Sequence, residues 1–131
     1  MGLLNSIFGQ RGDDWYNKGT IFLNSGNFHE AINCYNKTIG INPRDDDAWT
    51  NMGLAFHNLG DLQEAINCFN QAINLNPNQI HAIYNKGTTL AEIGKLEEAI
   101  GHFDEVLRLD PSYNKAEFNR TRAIQLLNQN R

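Results

Sequence analysis

Apolar residues in this chain recur with the spacing of amphipathic helices, and the pattern is clearest between residues 46 and 79. Trp49, Met52 and Phe56 mark one stripe. The second stripe consists of Leu62, Ala65, Ile66, Phe69, Ala72 and Ile73. Both follow i, i+3, i+4, i+7 spacing, which places the apolar side chains on one face of a helix. The pattern therefore predicts two helices that bury their apolar faces.

This helix pair occurs three times at a spacing of 34 residues. The sequence EAINCYNKTIGINP, which starts at Glu30, returns as EAINCFNQAINLNP from Glu64 and as EAIGHFDEVLRLDP from Glu98. A fixed period of this length is typical of a solenoid, in which each unit buries its apolar face only against its neighbours. Such proteins usually present a long surface to a partner.

Proline and glycine divide each repeat into two helices. The residue before a proline is disfavoured in the helical region, so a helix should stop there. The prolines that end the repeats are Pro43, Pro77 and Pro111. Glycine accepts the positive φ of a tight turn and commonly follows a helix end. The glycines near the middle of the repeats are Gly26, Gly60 and Gly94.

Two of these turns are followed by a capping-box pattern, Asn27 with Glu30 and Asp61 with Glu64. In such a box the first side chain accepts a free amide of the first turn, and the glutamate reaches back. Lys95 stands at the corresponding position of the third copy. The second helix of that repeat should therefore start less firmly.

A second set of glycines falls inside the first helix of each repeat. Its members are Gly19, Gly53 and Gly87. Glycine in a helix costs about 1 kcal/mol relative to alanine. Its recurrence at one position predicts a close approach of the two helices. The small residues expected opposite the glycines are Ala31, Ala65 and Ala99.

We therefore place repeats at residues 12–45, 46–79 and 80–113. Residues 114–131 begin like a fourth repeat, with Ala116 and Phe118 aligned to Ala82 and Tyr84, and then stop after one helix. A single amphipathic helix there is expected to cap the open apolar end of the solenoid. Seven main helices result, with room for a short additional one at the N-terminus.

These residues resemble the tetratricopeptide repeat. The second copy matches through Trp49, Met52, Gly53, Phe56, Ala65, Phe69, Ala72 and Pro77. The first matches through Trp15, Gly19, Phe22, Ala31, Tyr35 and Pro43. The third keeps Gly87, Leu90, Ala99, Phe103 and Pro111, with Ile83 in place of the aromatic residue. The resemblance implies an all-α fold, a right-handed α-solenoid of helix-turn-helix repeats with a C-terminal capping helix. It also implies a function in protein–protein interaction, as a small adaptor or scaffold.

The resemblance further implies that one position of each first helix faces a concave groove that binds a peptide or helix. Asparagine occupies this position in all four units, as Asn17, Asn51, Asn85 and Asn119. Neighbouring groove positions would be Tyr16, Thr50, Leu54, Tyr84, Thr88 and Arg122. An asparagine amide can pair with both the N–H and the C=O of a peptide backbone. The row is similar to that in the repeat domain of O-linked N-acetylglucosamine transferase, although asparagine is also common at this position in the family.

A co-chaperone function is disfavoured. The dicarboxylate clamp of that subfamily needs Lys and Arg in the groove. The corresponding residues here are Tyr16, Thr20, Asn51, His81 and Asn85, of which only Asn51 fits. Charges elsewhere in the groove suggest a gradient, with Asp13 and Asp47 at the first end. The basic side chains at the other end are His81, Lys115 and Arg122.

Composition narrows the remaining functions. The net charge is -4 without a basic run, which argues against binding of nucleic acid. No apolar run approaches the roughly 20 residues that span a membrane. The short apolar start has no basic flank, so we expect no secretory signal. The two cysteines do not make a disulfide framework. We expect a reduced, soluble, cytoplasmic protein.

Neither a metal centre nor a catalytic group is expected. Cys34, Cys68 and His102 occupy one position in successive repeats. Equivalent points on packed helices lie about 8–10 Å apart, which is too far for one zinc ion or for a disulfide. The histidines are scattered, and every glycine is explained by a turn or by packing. The sequence therefore predicts no enzyme activity and no cofactor.

Residues 1–11 leave three interpretations open. Leu3, Leu4, Ile7 and Phe8 share one helical face, which suits an N-terminal cap or a contact with a partner or a second copy. A membrane contact is the third, because the start also fits the N-myristoylation pattern. Two alternatives to a peptide-binding adaptor follow: a self-association module, and a regulatory subunit of an enzyme that carries such repeats.

Overall fold

The computed structural model describes residues 11–130, in which every regular element is an α-helix. The helices are α1 (Gly12–Asn24), α2 (Phe28–Ile41), α3 (Asp46–Asn58), α4 (Leu62–Leu75), α5 (Ile80–Glu92), α6 (Leu96–Leu109) and α7 (Asn114–Gln129). Each helix packs on the next along the chain, and α1, α3, α5 and α7 also contact one another in succession. The predicted all-α solenoid is confirmed. Residues 1–10, for which a cap, a partner contact and a membrane contact were left open, lie outside the described residues.

The turns inside the repeats follow the predicted glycines. Gly26, Gly60 and Gly94 have φ angles of 80°, 84° and 88°. The next residue then closes the helix by a backbone bond, as where the Asn27 amide donates to the Phe22 carbonyl at 2.8 Å. Such a bond satisfies a carbonyl that the helix end leaves free. Each first helix therefore reverses sharply into the second helix of its repeat.

The predicted capping boxes are only partly formed. Asp61 accepts the Glu64 amide at 3.4 Å, but Glu64 accepts from Asn67 rather than reaching back. Asn27 makes no side-chain cap bond, so the prediction there was wrong. Lys95 makes none either, as expected. One cap that the sequence analysis missed is Asp45, which accepts the Ala48 amide at 3.0 Å and starts α3.

The mid-helix glycines mark the close approach that was predicted, but against different partners. A Cβ on Gly53 would lie 2.6 Å from the Phe69 ring and 3.1 Å from Cβ of Cys68. A Cβ on Gly19 would lie 2.9 Å from the Tyr35 ring, and a Cβ on Gly87 would lie 2.8 Å from the Phe103 ring. The nearest atoms therefore belong to the aromatic residues of the second helices, not to the alanines.

Small apolar side chains on the odd-numbered helices fill the contacts between repeats. Ala48, Ala55, Ala82, Ala116 and Ala123 are all buried there. The position of Ala55 is taken in α1 by Ile21, which is 67% exposed. The first helix thus carries an exposed isoleucine where its successors carry a buried small residue. Within residues 11–130, no helix combines the length and the apolar character that crossing a bilayer requires.

Candidate functional site

The asparagine row lies on one face, which we call the groove face: the side of α1, α3, α5 and α7 that carries Asn17, Asn51, Asn85 and Asn119. Two hydrogen bonds join successive helices across it. The Asn51 amide donates to the Tyr16 hydroxyl at 3.0 Å, and the Asn119 amide donates to the Tyr84 hydroxyl at 2.7 Å. The four helices therefore bring the row together with two of the predicted tyrosines.

The four asparagines are not equivalent, because only Asn51 and Asn119 pair with a tyrosine hydroxyl from the preceding odd-numbered helix. For Asn85, the residue in the position of that tyrosine is Thr50. Thr50 is buried and donates its hydroxyl to the Asp46 carbonyl at 2.8 Å. Among residues 11–130, no group forms a hydrogen bond with the half-buried Asn85 side chain. Asn17 is exposed and likewise has no side-chain partner in this range. Asn51 and Asn119 each have one donor engaged, whereas the Asn85 amide has its full bonding capacity.

The tyrosine hydroxyls remain protonated. Burial is the main cause that raises the pKa of Tyr16, and the carboxylates of Asp47 and Asp45 raise it further. Burial also raises the pKa of Tyr84. The Tyr84 hydroxyl accepts from Asn119 and keeps its own O–H as a donor. The Tyr84 ring lies 5.1 Å from the Tyr113 ring and 6.0 Å from the Phe103 ring, which holds it in place.

The remaining predicted groove residues differ in exposure. Leu54 and Thr88 are half-buried, and Thr88 donates its hydroxyl to the Asn85 carbonyl at 2.9 Å. Arg122 is exposed, as is Phe118 beside it on α7. Thr50 is only 3% exposed and therefore offers almost no surface to a partner. Accessible groove-face side chains therefore remain on all four helices, and the most exposed apolar one is Phe118 on α7.

Carboxylates lie near the first end of the groove face. Asp13, Asp45 and Asp47 line, with Tyr16, a depression of about 280 Å³. Asp13 pairs with Arg11 at 2.6 Å, and the hydrogen bond from that guanidinium lowers the pKa of Asp13. At the other end, Lys115 and Arg122 have no ion-pair or hydrogen-bond partner among residues 11–130.

One polar side chain between repeats was missed in the sequence. Gln79 is buried and its amide donates to Asp46 at 2.7 Å and to Asp47 at 2.8 Å. Asn76 donates to the same Asp46 carboxylate at 3.1 Å. The amides satisfy two adjacent carboxylates that begin α3. The signal in the sequence was the run of three aspartates at 45–47, because carboxylates held between helices need hydrogen-bond donors nearby.

The cysteines are buried and free. Burial raises the pKa of the Cys68 thiol to about 12, and burial likewise raises the pKa of Cys34. A thiol in this state is a poor nucleophile and a poor metal ligand. In the described part of the chain, no three His, Cys, Asp or Glu side chains are placed to hold a metal ion. Both cysteines pack against the mid-helix glycines.

Comparison with known proteins agrees with this architecture. Models of the tetratricopeptide repeat match residues 46–79 and 68–101, and a TPR repeat model matches residues 19–60. The chain belongs to the tetratricopeptide repeat family. A search of curated protein sequences returned no match.

Solved tetratricopeptide domains superpose closely on this one. The first such domain of Spaghetti (RPAP3), bound to the HSP90 peptide SRMEEVD, has a TM-score of 0.87 at 29% identity, covering 90% of this chain and 94% of that chain. The first domain of human RPAP3 has a TM-score of 0.87 at 28% identity, covering 90% and 93%. The second human domain, in complex with the HSP70 peptide SGPTIEEVD, has a TM-score of 0.79 at 28% identity, covering 83% and 91%.

Proposed function

We propose that this tetratricopeptide protein is a protein–protein interaction module, an adaptor or scaffold that captures a peptide or helix on its groove face. The observation that carries the proposal is the half-buried Asn85 amide, whose donors and acceptor meet no protein partner within residues 11–130. A polar group in such a position gains from pairing with a peptide backbone. Structural neighbours that bind HSP90 and HSP70 peptides support the general mode of binding.

The groove chemistry differs from that of a receptor for acidic chaperone tails. The positions of the family's dicarboxylate clamp hold Tyr16, Thr20, Asn51, His81 and Asn85. None of these carries the fixed charge of lysine or arginine. We therefore propose a ligand held mainly by backbone hydrogen bonds, with a basic part near Asp47 and an acidic part near Arg122. The test that identifies it is a pull-down with the intact protein, followed by mass spectrometry of what remains bound.

The partner peptide is expected to lose about tenfold or more in affinity for the Asn51→Ala, Asn85→Ala double variant. Each hydrogen bond contributes roughly 0.5–1.5 kcal/mol, and 1.4 kcal/mol corresponds to tenfold. Most of the loss should come from Asn85→Ala alone, because one Asn51 donor already serves Tyr16. Titration calorimetry at two salt concentrations measures both effects.

The matched control for this experiment is Asn74→Ala, which removes an exposed asparagine from α4. It should leave the affinity unchanged. Ion pairs at the two ends of the groove are exposed to solvent, so added salt should weaken their part of the binding. Unchanged affinity in the double variant would place the binding surface elsewhere on the molecule.

A second candidate function, self-association, is favoured by Ile21 on α1. Its side chain is 67% exposed at a position that is buried in the later repeats. In a dimer, Ile21 would be covered by the apolar residues of a second copy, namely Leu3, Leu4, Ile7 and Phe8. If so, Ile21→Ser or deletion of residues 1–10 should convert a dimer to a monomer. Light scattering across protein concentration measures this, and a constant monomer mass in the intact protein excludes it.

A further inference from the structure

A cleft of about 290 Å³ opens where α5, α6 and α7 meet. Its apolar walls are Ala91, Leu96, Phe103, Ala123 and Leu126. Phe103 and Leu96 belong to the buried core, so the floor of the cleft is fixed. Asn119 lines the cleft as well as belonging to the asparagine row, which makes the cleft a continuation of the groove face.

Comparison of the repeats explains why the cleft is open. The position of Ala91 is taken by Leu23 in the first repeat and by His57 in the second. Leu23 packs against the buried core that includes Ile32 and Tyr35. His57 reaches across to the next repeat, where Nε2 lies 2.8 Å from Oε1 of Glu92. The counterparts of that pair one repeat later are Ala91 and Leu126, which cannot form a hydrogen bond.

The charge at the rim indicates what fits beside an apolar group. Arg122 lines the cleft, is exposed, and has no ion-pair partner among residues 11–130. Glu92 also lines the cleft, but its carboxylate faces His57. The rim therefore offers one unengaged cation next to an apolar cavity. An arginine guanidinium is well suited to bind a carboxylate.

We propose that this cleft is the specificity pocket of the module, which takes an aliphatic or aromatic side chain of the peptide partner with a carboxylate next to it on Arg122. The proposal rests on the peptide-binding function proposed above and names one feature of its ligand. The carboxylate is either the terminus of the peptide or an adjacent acidic side chain. The cavity would be filled by a single large apolar side chain.

Small compounds that contain only these groups provide the test. N-acetyl-leucine carries the apolar side chain and a terminal carboxylate, and N-acetyl-leucyl-aspartyl amide carries a side-chain carboxylate. N-acetyl-leucinamide lacks the charge, and N-acetyl-alanine lacks the large side chain. Each is titrated into the ¹⁵N-labelled full chain and followed by NMR. Ligands of this size bind in the millimolar range, so titration to about 10 mM is sufficient.

We expect the amides around Ala91, Ala123 and Leu126 to shift with one or both of the leucine carboxylates. The two compounds distinguish a terminal carboxylate from an acidic side chain. N-acetyl-leucinamide should bind about two- to fivefold more weakly, since exposed ion pairs are weak. Arg122→Gln should remove that difference. N-acetyl-alanine should bind at least about tenfold more weakly, because it buries little apolar surface.

Two variants close the cleft by the means that the earlier repeats use. Ala91→Leu introduces the leucine that stands at this position in the first repeat. Ala91→His with Leu126→Glu introduces the histidine–glutamate pair that His57 and Glu92 form. Both should reduce binding of the leucine compounds at least about tenfold while the helical circular dichroism is retained. Gln125→Leu adds a leucine to an exposed position of α7 outside the cleft and should not change binding.

Three results would overturn the proposal: no shifts at the cleft amides, equal binding to both closed variants and the wild type, or equal binding of N-acetyl-alanine and N-acetyl-leucine. Cleft amides that shift on deletion of residues 1–10 would show that the chain's own N-terminal segment fills the cleft. The groove itself is tested separately, because Asn85→Ala should leave these compounds bound. Failure of the cleft and failure of peptide capture are therefore distinct outcomes.

Discussion

Gly53→Ala is expected to lower the free energy of unfolding by roughly 2 kcal/mol. The added Cβ would lie 2.6 Å and 2.8 Å from two ring carbons of Phe69, and 3.1 Å from Cβ of Cys68. Phe69 is fully buried, so its ring cannot move away without disturbing the core. Overpacking of about 3 kcal/mol outweighs the gain of about 1 kcal/mol that alanine brings to a helix.

The matched control is Gly101→Ala, which makes the same change inside α6. A Cβ on Gly101 would meet no atom within 4 Å. The substitution should therefore raise stability by up to about 1 kcal/mol. Thermal unfolding should show a melting temperature about 6–10 °C lower for Gly53→Ala and slightly higher for Gly101→Ala. Equal changes would mean that helix propensity, rather than the contact with Phe69, determines the effect of glycine here.

Most of the fold could be predicted from the sequence because it depends on local chemistry repeated three times. Gly26, Gly60 and Gly94 turn the chain through their own backbone freedom, and the prolines stop each repeat. Repetition strengthens such signals, since a chance glycine does not recur at one position. Interactions that cross from one helix to another were predicted less well. Gly53 was expected to face alanine and instead faces Phe69.

The candidate site shows the same division. The asparagine row is visible in the sequence as a period, and the structure places it on one face. The inequality within the row depends on whether a hydroxyl one repeat earlier reaches the amide, as Tyr16 reaches Asn51. Thr50 is too short to reach Asn85 and is used within its own helix. A sequence period shows which position a residue occupies. It does not show whether the side chain already forms a hydrogen bond within the protein.

The cleft beside α7 arises from a small departure from the repeat. Ala91 is an unremarkable residue until it is aligned with Leu23 and His57. Its effect also depends on Leu126, which leaves the space unfilled, and on Phe103 below. A regular solenoid provides a uniform surface, so specificity has to come from positions where one copy differs from the others. The last interface, where the repeat gives way to a cap, contains that difference.

Ala123→Glu is expected to release α7 and to increase hydrogen exchange about a hundredfold in α5 and α6, with much smaller changes in α1 and α2. Ala123 is 3% exposed, and an unpaired carboxylate buried there would cost several kcal/mol. Detachment of α7 avoids that cost but uncovers Phe103 and Val106, which are fully buried beneath it. Loss of about 3 kcal/mol of local stability corresponds to roughly a hundredfold faster exchange.

The gradient along the chain is the decisive part of this result. Each repeat contacts only its neighbours, so a weakened end should fray first and its effect should fade with distance. Gln125→Glu introduces the same charge two residues later at an exposed position and should leave exchange unchanged. Removal of residues 114–131 should reproduce the pattern of Ala123→Glu. Exchange that rose equally in α1 and α6 would instead show that the three repeats and the cap unfold as one cooperative unit.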